Sequence, residues 1–504
     1  MANKKSFKSS FEGKSPAYRQ AGQKRPPIVA VLGHVDHGKT SLISKIYEKD
    51  LTKKEFGGIS QHIGAYCAKF AIRPPAGRAG NSQFAITFID TPGHVAFSKM
   101  RSRGAKVADL AILVVAADEG VKPQTLESLR HIQEANIPFL VAINKIDLPN
   151  INLDWVKGNL AENGILVEGW GGNVVFVPVS AKTGKGIDEL LEMILLLWEM
   201  EEVKSEPEGE LEAVIIESKL DPKKGPLATV LIRNGSLKLG EEIRTEEVGG
   251  KIRAMTDDKG KSVNIAYPGE AVEILGFSKV PPVGSKIIRG PLEEKIFPPS
   301  RVKTSEKEEE EEKKIKILLK ADTQGTLEAV LGSLPEEVKV IFSGVGNITE
   351  SDILLAKSSN AQIIGFNLKT NSVVEKLAKS EGVEIKTYNI IYELLDEMEK
   401  KILKLLEPTI DEEILGEAKI IAEFIIKDKR VAGCKVEEGE IEKKLPLHLR
   451  REGKIIADCQ IVSMKIGKED TEKVKKGEEF GVILDSPIDF KVGDVLISYH
   501  KLPQ

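Results

Sequence analysis

Apolar and polar positions follow two patterns along the chain, and the points where the pattern changes divide it into segments. Residues 27–202 alternate short apolar runs with segments whose apolar residues lie three and four apart, which predicts buried strands alternating with amphipathic helices. This alternation is typical of a doubly wound α/β domain with a mostly parallel sheet. Residues 211–298 carry short β-rich runs punctuated by Gly and Pro, which predict a small β-barrel.

The second half of the chain repeats both patterns, the alternation of strands and helices and the run of short strands. Strand and helix patterns resume over residues 315–389, predicting an α/β domain, and residues 390–406 have apolar positions at helical spacing, predicting a long connecting helix. Residues 407–504 are β-rich and predict a second small β-barrel. Linkers are expected at 203–210 and 299–314; the second contains the run SEKEEEEEKK, interpreted as a solvated linker with an interaction tail as the alternative. The predicted fold class is multidomain α/β and β.

The two predicted barrels share a sequence pattern. The segments LATVLIRNGSL and VAGCKVEEGEI match without a gap, and the paired positions are Leu227 with Val431, Ala228 with Ala432, Val230 with Cys434, Ile232 with Val436, Gly235 with Gly439, and Leu237 with Ile441. Downstream, Gly269 recurs as Gly477, and the pair ending at Gly284 recurs as the pair ending at Gly493. We infer two barrels of one topology, either by duplication or by convergence of turn glycines.

Composition narrows the class of protein. The chain has 504 residues, 41% hydrophobic and 30% charged, and no apolar run approaches the ~20 residues of a membrane span. Its three cysteines, Cys67, Cys434 and Cys459, lie far apart, which indicates neither a disulfide framework nor a zinc site and fits a reducing cytoplasm. Residues 1–26 hold seven Lys/Arg against one Glu and predict a disordered basic tail, solvated or in contact with RNA. With a net charge of only −4, nucleic-acid affinity requires local patches.

The stretch GHVDHGKT lies between a predicted strand and a predicted helix. Its pattern G-x-x-x-x-G-K-T supplies backbone amides for phosphate oxygens, a lysine for the β- and γ-phosphates and a hydroxyl for magnesium. An ordinary Gly-rich turn is the alternative. The predicted phosphate-binding residues are Gly33, His34, Val35, Asp36, His37, Gly38, Lys39, Thr40 and Ser41.

Three further motifs follow at predicted strand ends, where an open α/β sheet binds its ligand. In DTPGH, Asp90 is expected to hold magnesium through water and Gly93 to contact the third phosphate. In NKID, the Asp147 carboxylate can accept two hydrogen bonds from guanine N1 and N2, a donor pair that adenine lacks. The remaining predicted base-side residues are Asn144, Lys145, Ser180, Ala181 and Lys182. The four motifs together predict a guanine-nucleotide site.

GHVDHGKT and DTPGH together resemble the translational GTPases. FGGISQHIGAY, the segment from DTPGH to VKPQT, and VAGCKVEEGEI with FKVGDVLI narrow the resemblance to bacterial-type translation initiation factor 2, from about Pro27 to His500. The resemblance implies GTP/GDP as ligand and Mg²⁺ held by Thr40, Ser60 and, through water, Asp90. Ser60 stands where the family has threonine. A monovalent cation near Asp36 is a further implication.

The resemblance also implies a mechanism. His94 stands where this class places the residue that positions the attacking water, and Val35 and Ile59 resemble an apolar gate beside it, with simple packing as the alternative reading. No arginine finger in cis is evident, so slow intrinsic hydrolysis with the ribosome as activator is expected. The implied partners of a cytoplasmic, monomeric factor are the small and large ribosomal subunits, ribosomal RNA and formylmethionyl initiator tRNA, without a membrane.

In this family the C-terminal barrel recognises the formylmethionyl end of initiator tRNA. The matching positions are Cys434, Lys465, Lys468, Glu479, Phe480 and Gly481. Cys434 has a buried core residue as its alternative reading. The chain departs from the family at Ile466, Gly467 and Phe480, so weaker or altered formyl selectivity is expected. Arg450 and Arg451 offer contacts to a nucleic-acid backbone, with exposed hairpin charges as the alternative.

The sequence is compatible with three functions. The first is a ribosome-activated initiation factor with GTPase activity. The second is a specialised tRNA-delivery GTPase, which requires tight GTP-dependent tRNA binding in solution. The third is a GTP-regulated RNA-binding scaffold without turnover.

Overall fold

A computed structural model describes residues 24–48, 51, 59–72, 82–201, 203, 205–292, 314–406, 412–426, 429–451, 454–467, 469–485 and 489–501. Most of the predicted basic tail, nearly all of the 299–314 linker, and Lys468 lie outside these residues. Two compact units divide the chain, Met1–Asp396 and Glu397–Gln504.

The first segment forms an α/β layer structure around a six-stranded sheet. Its elements in chain order are β1 (Ile28–Gly33), α1 (Lys39–Tyr47), β2 (Gly64–Ile72), β3 (Ser82–Asp90), a 3₁₀ turn (Val95–Phe97), α2 (Ser98–Val107), β4 (Leu110–Ala116), α3 (Pro123–Ala135), β5 (Phe139–Asn144), α4 (Leu153–Glu162), β6 (Phe176–Pro178) and α5 (Ile187–Met200). The strand order is β2-β3-β1-β4-β5-β6. Strand β2 runs antiparallel to β3, and the other neighbours pair in parallel.

Strand β1 shows why this sheet is covered on both faces. Alternate side chains of a strand point to opposite faces, so Ile28, Ala30 and Leu32 join one buried cluster while Val29 and Val31 join another. The first cluster includes residues of α2, α3 and α4, and the second includes residues of α1 and α5. Burial on both faces explains the continuous apolar runs that the sequence shows here.

The next segment closes into a β-barrel. Its strands are β7 (Glu212–Asp221), β8 (Gly225–Asn234), β9 (Leu237–Lys238), β10 (Glu242–Arg244), β11 (Gly249–Asp257), β12 (Ile265–Ala266), β13 (Ala271–Phe277) and β14 (Lys286–Arg289). The ring order is β10-β11-β13-β8-β7-β14, and β9 pairs with β12 beside it.

A four-stranded parallel sheet follows, with helices between its strands. The elements are β15 (Ile315–Ala321), α6 (Gln324–Ser333), β16 (Val338–Val345), α7 (Glu350–Ser359), β17 (Gln362–Phe366), α8 (Ser372–Glu381), β18 (Ile385–Tyr388) and α9 (Ile391–Leu406). The order is β16-β15-β17-β18. Helices α6 and α7 begin at the capping threonines Thr323 and Thr349, whose hydroxyls accept from backbone amides of the first turn.

The C-terminal unit holds the second β domain. Its strands are β19 (Glu412–Ile426), β20 (Lys429–Glu442), β21 (Leu447–Arg451), β22 (Lys454–Cys459), β23 (Ile461–Ile466), β24 (Glu469–Asp470), β25 (Lys473–Lys475), β26 (Glu479–Leu484) and β27 (Val495–Lys501). The pairing runs β22-β21-β27-β19-β20-β26-β23-β24, with β25 on β20. Within the described strands, this path wraps one apolar core without the ring closure of the first barrel.

The two β domains share backbone hydrogen bonds at corresponding corners. The Gly269 amide donates to the Ile232 carbonyl at 2.7 Å, and the Gly477 amide donates to the Val436 carbonyl at 2.9 Å. These are positions that the sequence match paired. A second shared bond joins Gly284 to Ile215 and Gly493 to Ile420. The hydrogen bonds support one topology for both, as the match predicts.

The predicted fold class is confirmed: a mostly parallel sheet with helices on both faces, β domains, an intervening α/β domain and a long helix are all present. The domain boundaries stay predictions. In the part of the chain described here, no helix combines the length and hydrophobicity needed to cross a bilayer.

Candidate nucleotide site and C-terminal pocket

The phosphate loop joins β1 to α1, and its backbone takes conformations that only a few residue types adopt. Gly33 has φ 145°, and a Cβ there would lie 2.4 Å from the Val114 carbonyl oxygen, so a side chain does not fit. Gly38 has φ 84°, and Asp36, at φ 64°, uses the left-handed region that Asp tolerates better than most residues. The start of the loop therefore packs closely against the neighbouring strand β4.

A cavity of about 190 Å³ lies over this loop. It brings together residues from the phosphate loop, from the segment before β2, from the DTPGH motif and from the first turn of α9. They are Val35, Asp36, Gly38, Lys39, Thr40, Ser41, Ile59, Ser60, Gly93, His94, Phe97 and Tyr392. The Lys39 ammonium donates to the His34 carbonyl at 2.6 Å, which holds it inside the loop.

Oxygen ligands gather at one corner of the cavity. The Thr40 hydroxyl donates to the Asp90 carboxylate at 2.8 Å, and the Thr40 and Ser60 hydroxyl oxygens lie 2.5 Å apart. The residues predicted to hold magnesium are thus brought together from three segments. Hydroxyl and carboxylate oxygens are the hard donors that Mg²⁺ prefers, so these residues fit the ion.

The predicted base-side residues form a hydrogen-bonded unit. The Asn144 amide donates to the His37 carbonyl at 2.9 Å and accepts from the Ala181 amide at 3.0 Å, tying the phosphate loop to the third and fourth motifs. The Ser180 hydroxyl donates to Asp147 at 2.6 Å, and this hydrogen bond holds the Asp147 pKa below its ordinary value. Asp147 is therefore kept ionised, as recognition of guanine N1 and N2 requires.

The two lysines of these motifs have different surroundings. Lys145 has φ 66° and pairs with Asp118 at 3.5 Å and with Glu119 at 3.4 Å. Lys182 is exposed. An exposed aliphatic stem is compatible with covering a base, which is the role the sequence predicts.

His94 lies at the start of the 3₁₀ turn, on the cavity wall. Its Nδ1 accepts from the Ala96 amide at 3.1 Å, so the neutral ring carries its proton on Nε2. Burial, followed by the nearby Arg101 guanidinium, lowers the His94 pKa, which favours the neutral form. The ring also meets Tyr392 edge to face, with centroids 4.1 Å apart.

Arg101 was not predicted from the sequence. It is fully buried on α2 and donates to the carbonyls of Pro92 at 3.0 Å and His94 at 2.5 Å, while its other nitrogen pairs with Glu127 at 2.7 Å. These bonds hold the backbone of the DTPGH segment. The available signal was an arginine on the face of a predicted helix that also carries Met100, Gly104 and Ala105.

His34 and His37 form a cluster with Glu119, their ligand atoms lying within 4.8 Å of one another. His37 is buried, and burial lowers its pKa to about 4. Glu119 already pairs with Lys122 and Lys145, each at 3.4 Å. Two ammonium groups at the only carboxylate of the cluster disfavour a divalent cation there.

The C-terminal unit contains a pocket of about 760 Å³. It is lined by Ile421, Ala422, Phe424, Val431, Gly433, Cys434, Ser463, Lys465, Gly467, Glu479, Phe480, Gly481 and Ile483. Among the described residues, every position matched to recognition of the formylmethionyl end is therefore brought to one cavity. Cys434 is fully buried and lies opposite Phe480 in the β20–β26 pair; burial raises its thiol pKa to about 12. This burial supports the core-residue reading of Cys434.

Charged residues around the second β domain are held in ion pairs. Lys465 pairs with Asp470 at 3.3 Å, and Glu479 with Lys435 at 3.4 Å, at exposed positions of the pocket rim. In the separate hairpin, Arg450 pairs with Glu417 at 2.6 Å and Arg451 with Asp494 at 2.9 Å. Both hairpin arginines thus have carboxylate partners within their own unit.

Comparison with protein families identifies three regions. The Elongation factor Tu GTP binding domain matches residues 24–199, Elongation factor G domain 2 matches residues 210–290, and Translation-initiation factor 2 matches residues 299–399. The predicted GTPase segment and the predicted first barrel thus match separate families, in the predicted order.

Relatives match almost the whole chain. Translation initiation factor IF-2 of Thermoanaerobacter sp. (strain X514) is 44% identical over 95% of this chain and 71% of its own length. The chain spans 59% of the Nitratiruptor protein and 61% of the Aquifex aeolicus protein of the same name, at 43% and 44% identity and with 96% and 95% of this chain covered.

A solved structure, GDP-bound aIF5B from Aeropyrum pernix, is 28% identical over 94% of this chain and 92% of its own, at a TM-score of 0.45. The similarity in sequence is what decides the assignment. It confirms the resemblance drawn from the motifs, and the chain belongs to the translation initiation factor IF-2 family.

Proposed function

We propose that this protein is a GTPase that acts in translation initiation, binding initiator tRNA on the small ribosomal subunit in its GTP form and promoting joining of the large subunit. The cavity lined by Lys39, Thr40, Ser60 and His94 is the observation that carries the proposal, since these side chains are of the types that could bind phosphate, bind magnesium and orient a water, and they face one space. Ribosomal subunits, ribosomal RNA and formylmethionyl initiator tRNA are the proposed partners, and the cytoplasm is the proposed compartment.

Different residues of the chain have separate roles in hydrolysis. Loop amides and Lys39 hold the phosphates. Thr40, Ser60 and, through water, Asp90 would hold Mg²⁺, which would neutralise charge on the phosphate oxygens. A water oxygen attacks the γ-phosphorus, the bond to the β–γ bridging oxygen breaks, and GDP and phosphate leave with the water's protons on phosphate. His94, protonated on Nε2, donates a hydrogen bond that orients this water.

Activation is proposed to come from outside the chain. The buried Arg101 donates to the carbonyls of Pro92 and His94 and pairs with Glu127, so its guanidinium holds the DTPGH segment and is not available to the phosphates. Intrinsic hydrolysis is therefore slow, and the ribosome supplies the additional acceleration. GTP orders the segments around Ser60 and Gly93, and hydrolysis releases them.

The catalytic assignment is tested by ribosome-stimulated GTP hydrolysis of wild type, His94→Ala and the control His500→Ala, an exposed histidine on β27. We expect His94→Ala to lose about 10²-fold or more of the stimulated rate at unchanged GTP affinity, the lower end of what a positioned proton-transfer group contributes. Full activity of His94→Ala would withdraw the assignment. Absence of any ribosome stimulation in wild type would favour the scaffold, and tight ternary-complex formation in solution would favour the delivery factor.

The C-terminal pocket is proposed to receive the methionyl end of initiator tRNA. Apolar walls from Ile421, Phe424 and Val431 suit a thioether side chain. The bulky Phe480 opposite Cys434, with Ile466 and Gly467 nearby, supports weaker formyl selectivity than in the family. Equilibrium binding of the full chain to formylated and unformylated initiator methionyl-tRNA at two salt concentrations tests this, and a preference of about tenfold or more, ~1.4 kcal/mol, would contradict it.

A further inference from the structure

The first turn of α9 forms part of the phosphate cavity. Tyr392, the second residue of this helix, lines the same cavity as Lys39 and Thr40. Its ring lies 4.1 Å from the His94 ring, centroid to centroid, at an interplanar angle of 79°. Edge-to-face contact is the arrangement that aromatic quadrupoles favour. The residue assigned to water positioning is thus in direct contact with a helix from the α/β segment.

Gln61 fixes where this turn lies. Its side chain is buried, its Nε2 donates to the Asn389 carbonyl at 2.6 Å, and its Oε1 accepts from the Ile391 amide at 3.2 Å. Gln61 directly follows Ser60 in the chain. The segment that supplies a magnesium ligand and the start of α9 therefore form one hydrogen-bonded unit.

His94 is held from two directions. The Ala96 amide donates to Nδ1 at 3.1 Å, which folds the imidazole back over its own 3₁₀ turn. Tyr392 covers the ring, and Phe97 lies further away, at 6.1 Å. A change in the His94 rotamer therefore breaks the Ala96 hydrogen bond, the Tyr392 contact, or both.

We propose that Tyr392 is a positioning residue that restrains His94, holding the imidazole against the first turn of α9 and slowing GTP hydrolysis until that turn moves. This rests on the proposed role of His94. Because Gln61 ties the same turn to the Ser60 segment, displacement of that segment on nucleotide exchange moves Tyr392 as well. The restraint thereby links the magnesium corner of the cavity to the water-positioning group.

The test compares Tyr392→Leu, which keeps apolar bulk but removes the ring, with Tyr392→Phe, which keeps the ring. Glu393→Gln, exposed on the same turn, is the control. Single-turnover GTP hydrolysis of the full chain without ribosomes should rise about two- to tenfold in Tyr392→Leu, as loss of one aromatic pair implies. Tyr392→Phe and the control should match wild type. An unchanged or slower Tyr392→Leu overturns the restraint.

A second measurement separates this proposal from the proposed function. In the His94→Ala background, Tyr392→Leu should no longer accelerate hydrolysis, and acceleration that persists there overturns the restraint. The His94 ring-proton NMR resonances should shift in Tyr392→Leu, through loss of the ring current, and not in Tyr392→Phe. If His94→Ala keeps full ribosome-stimulated activity, the proposed role of His94 in hydrolysis is rejected. If the His94 resonance does not shift in Tyr392→Leu, the contact between Tyr392 and His94 is rejected.

Discussion

The phosphate cavity and the C-terminal pocket are built in opposite ways. The smaller, about 190 Å³, is lined by the phosphate loop, whose ammonium and hydroxyl groups are adjacent in sequence at Lys39, Thr40 and Ser41, and by residues of three further segments. The larger, about 760 Å³, is lined mainly by apolar side chains from β19, β20, β23 and β26. A site made from backbone conformation and a few fixed polar groups constrains its sequence tightly. A site made from side chains on several strands leaves each position freer to vary, and we expect the side chain of Phe480 to affect what the pocket accepts.

The apolar character of the second pocket can be tested through Cys434. Burial raises the thiol pKa to about 12, so below that pH the folded chain holds the unreactive protonated form. Relative to an ordinary thiol of pKa ~8.5, alkylation at pH 8.5 should be slower by roughly 10³-fold. Mass spectrometry after iodoacetamide treatment, with a guanidinium-unfolded control, measures this. Rapid labelling of folded Cys434 would contradict the buried position of its thiol.

The polar character of the nucleotide site can be tested through Asp147. Asp147→Asn removes a charged acceptor for guanine N1 and N2, and losing hydrogen bonds to a charged group should weaken GTP binding roughly 10- to 150-fold. Binding of XTP, whose base carries an oxygen at the guanine N2 position, should improve. Fluorescent-nucleotide titration measures both, with Asp118→Asn as a nearby carboxylate control. Equal GTP affinity in Asp147→Asn would remove this residue from base recognition.

Phe480 tests whether side-chain volume sets what the second pocket accepts. Phe480→Cys should open space beside Cys434 and raise the preference for formylated initiator methionyl-tRNA by about tenfold. Tyr499→Phe, a buried ring change outside the pocket lining, is the control, and the melting temperature of each variant checks folding. A preference unchanged by Phe480→Cys would show that volume at this position does not limit the formyl group.

The smallest effect is expected at Ser60. Ser60→Thr adds a β-methyl group that restricts χ1, so less side-chain entropy is lost when the hydroxyl is ordered. We expect GTP binding with Mg²⁺ to tighten about twofold, while GDP binding changes less. Titration of both nucleotides measures the difference, and weaker GTP binding would show that the methyl group clashes at this corner.

Much of the first site could be predicted because its parts are local. A phosphate loop needs particular backbone angles at Gly33 and Gly38, and those requirements appear directly as residue types. The C-terminal pocket could be placed only through a resemblance, since Cys434 and Phe480 meet by strand pairing. Neither Arg101 nor Gln61 was assigned a role, although both lie in segments that carry the resemblance, because the hydrogen bonds of each depend on backbone groups that folding brings close.

The sequence by itself determined the nucleotide motifs, their order at strand ends, the alternating rhythms of the α/β segments and the shared pattern of the two β domains. Each of these depends on neighbouring residues or on a short repeat period. Only the tertiary structure decided that Gln61 binds the backbone of Asn389, 328 residues away, and that Tyr392 lies on His94. Such contacts depend on how folded segments pack against one another, which no local periodicity records.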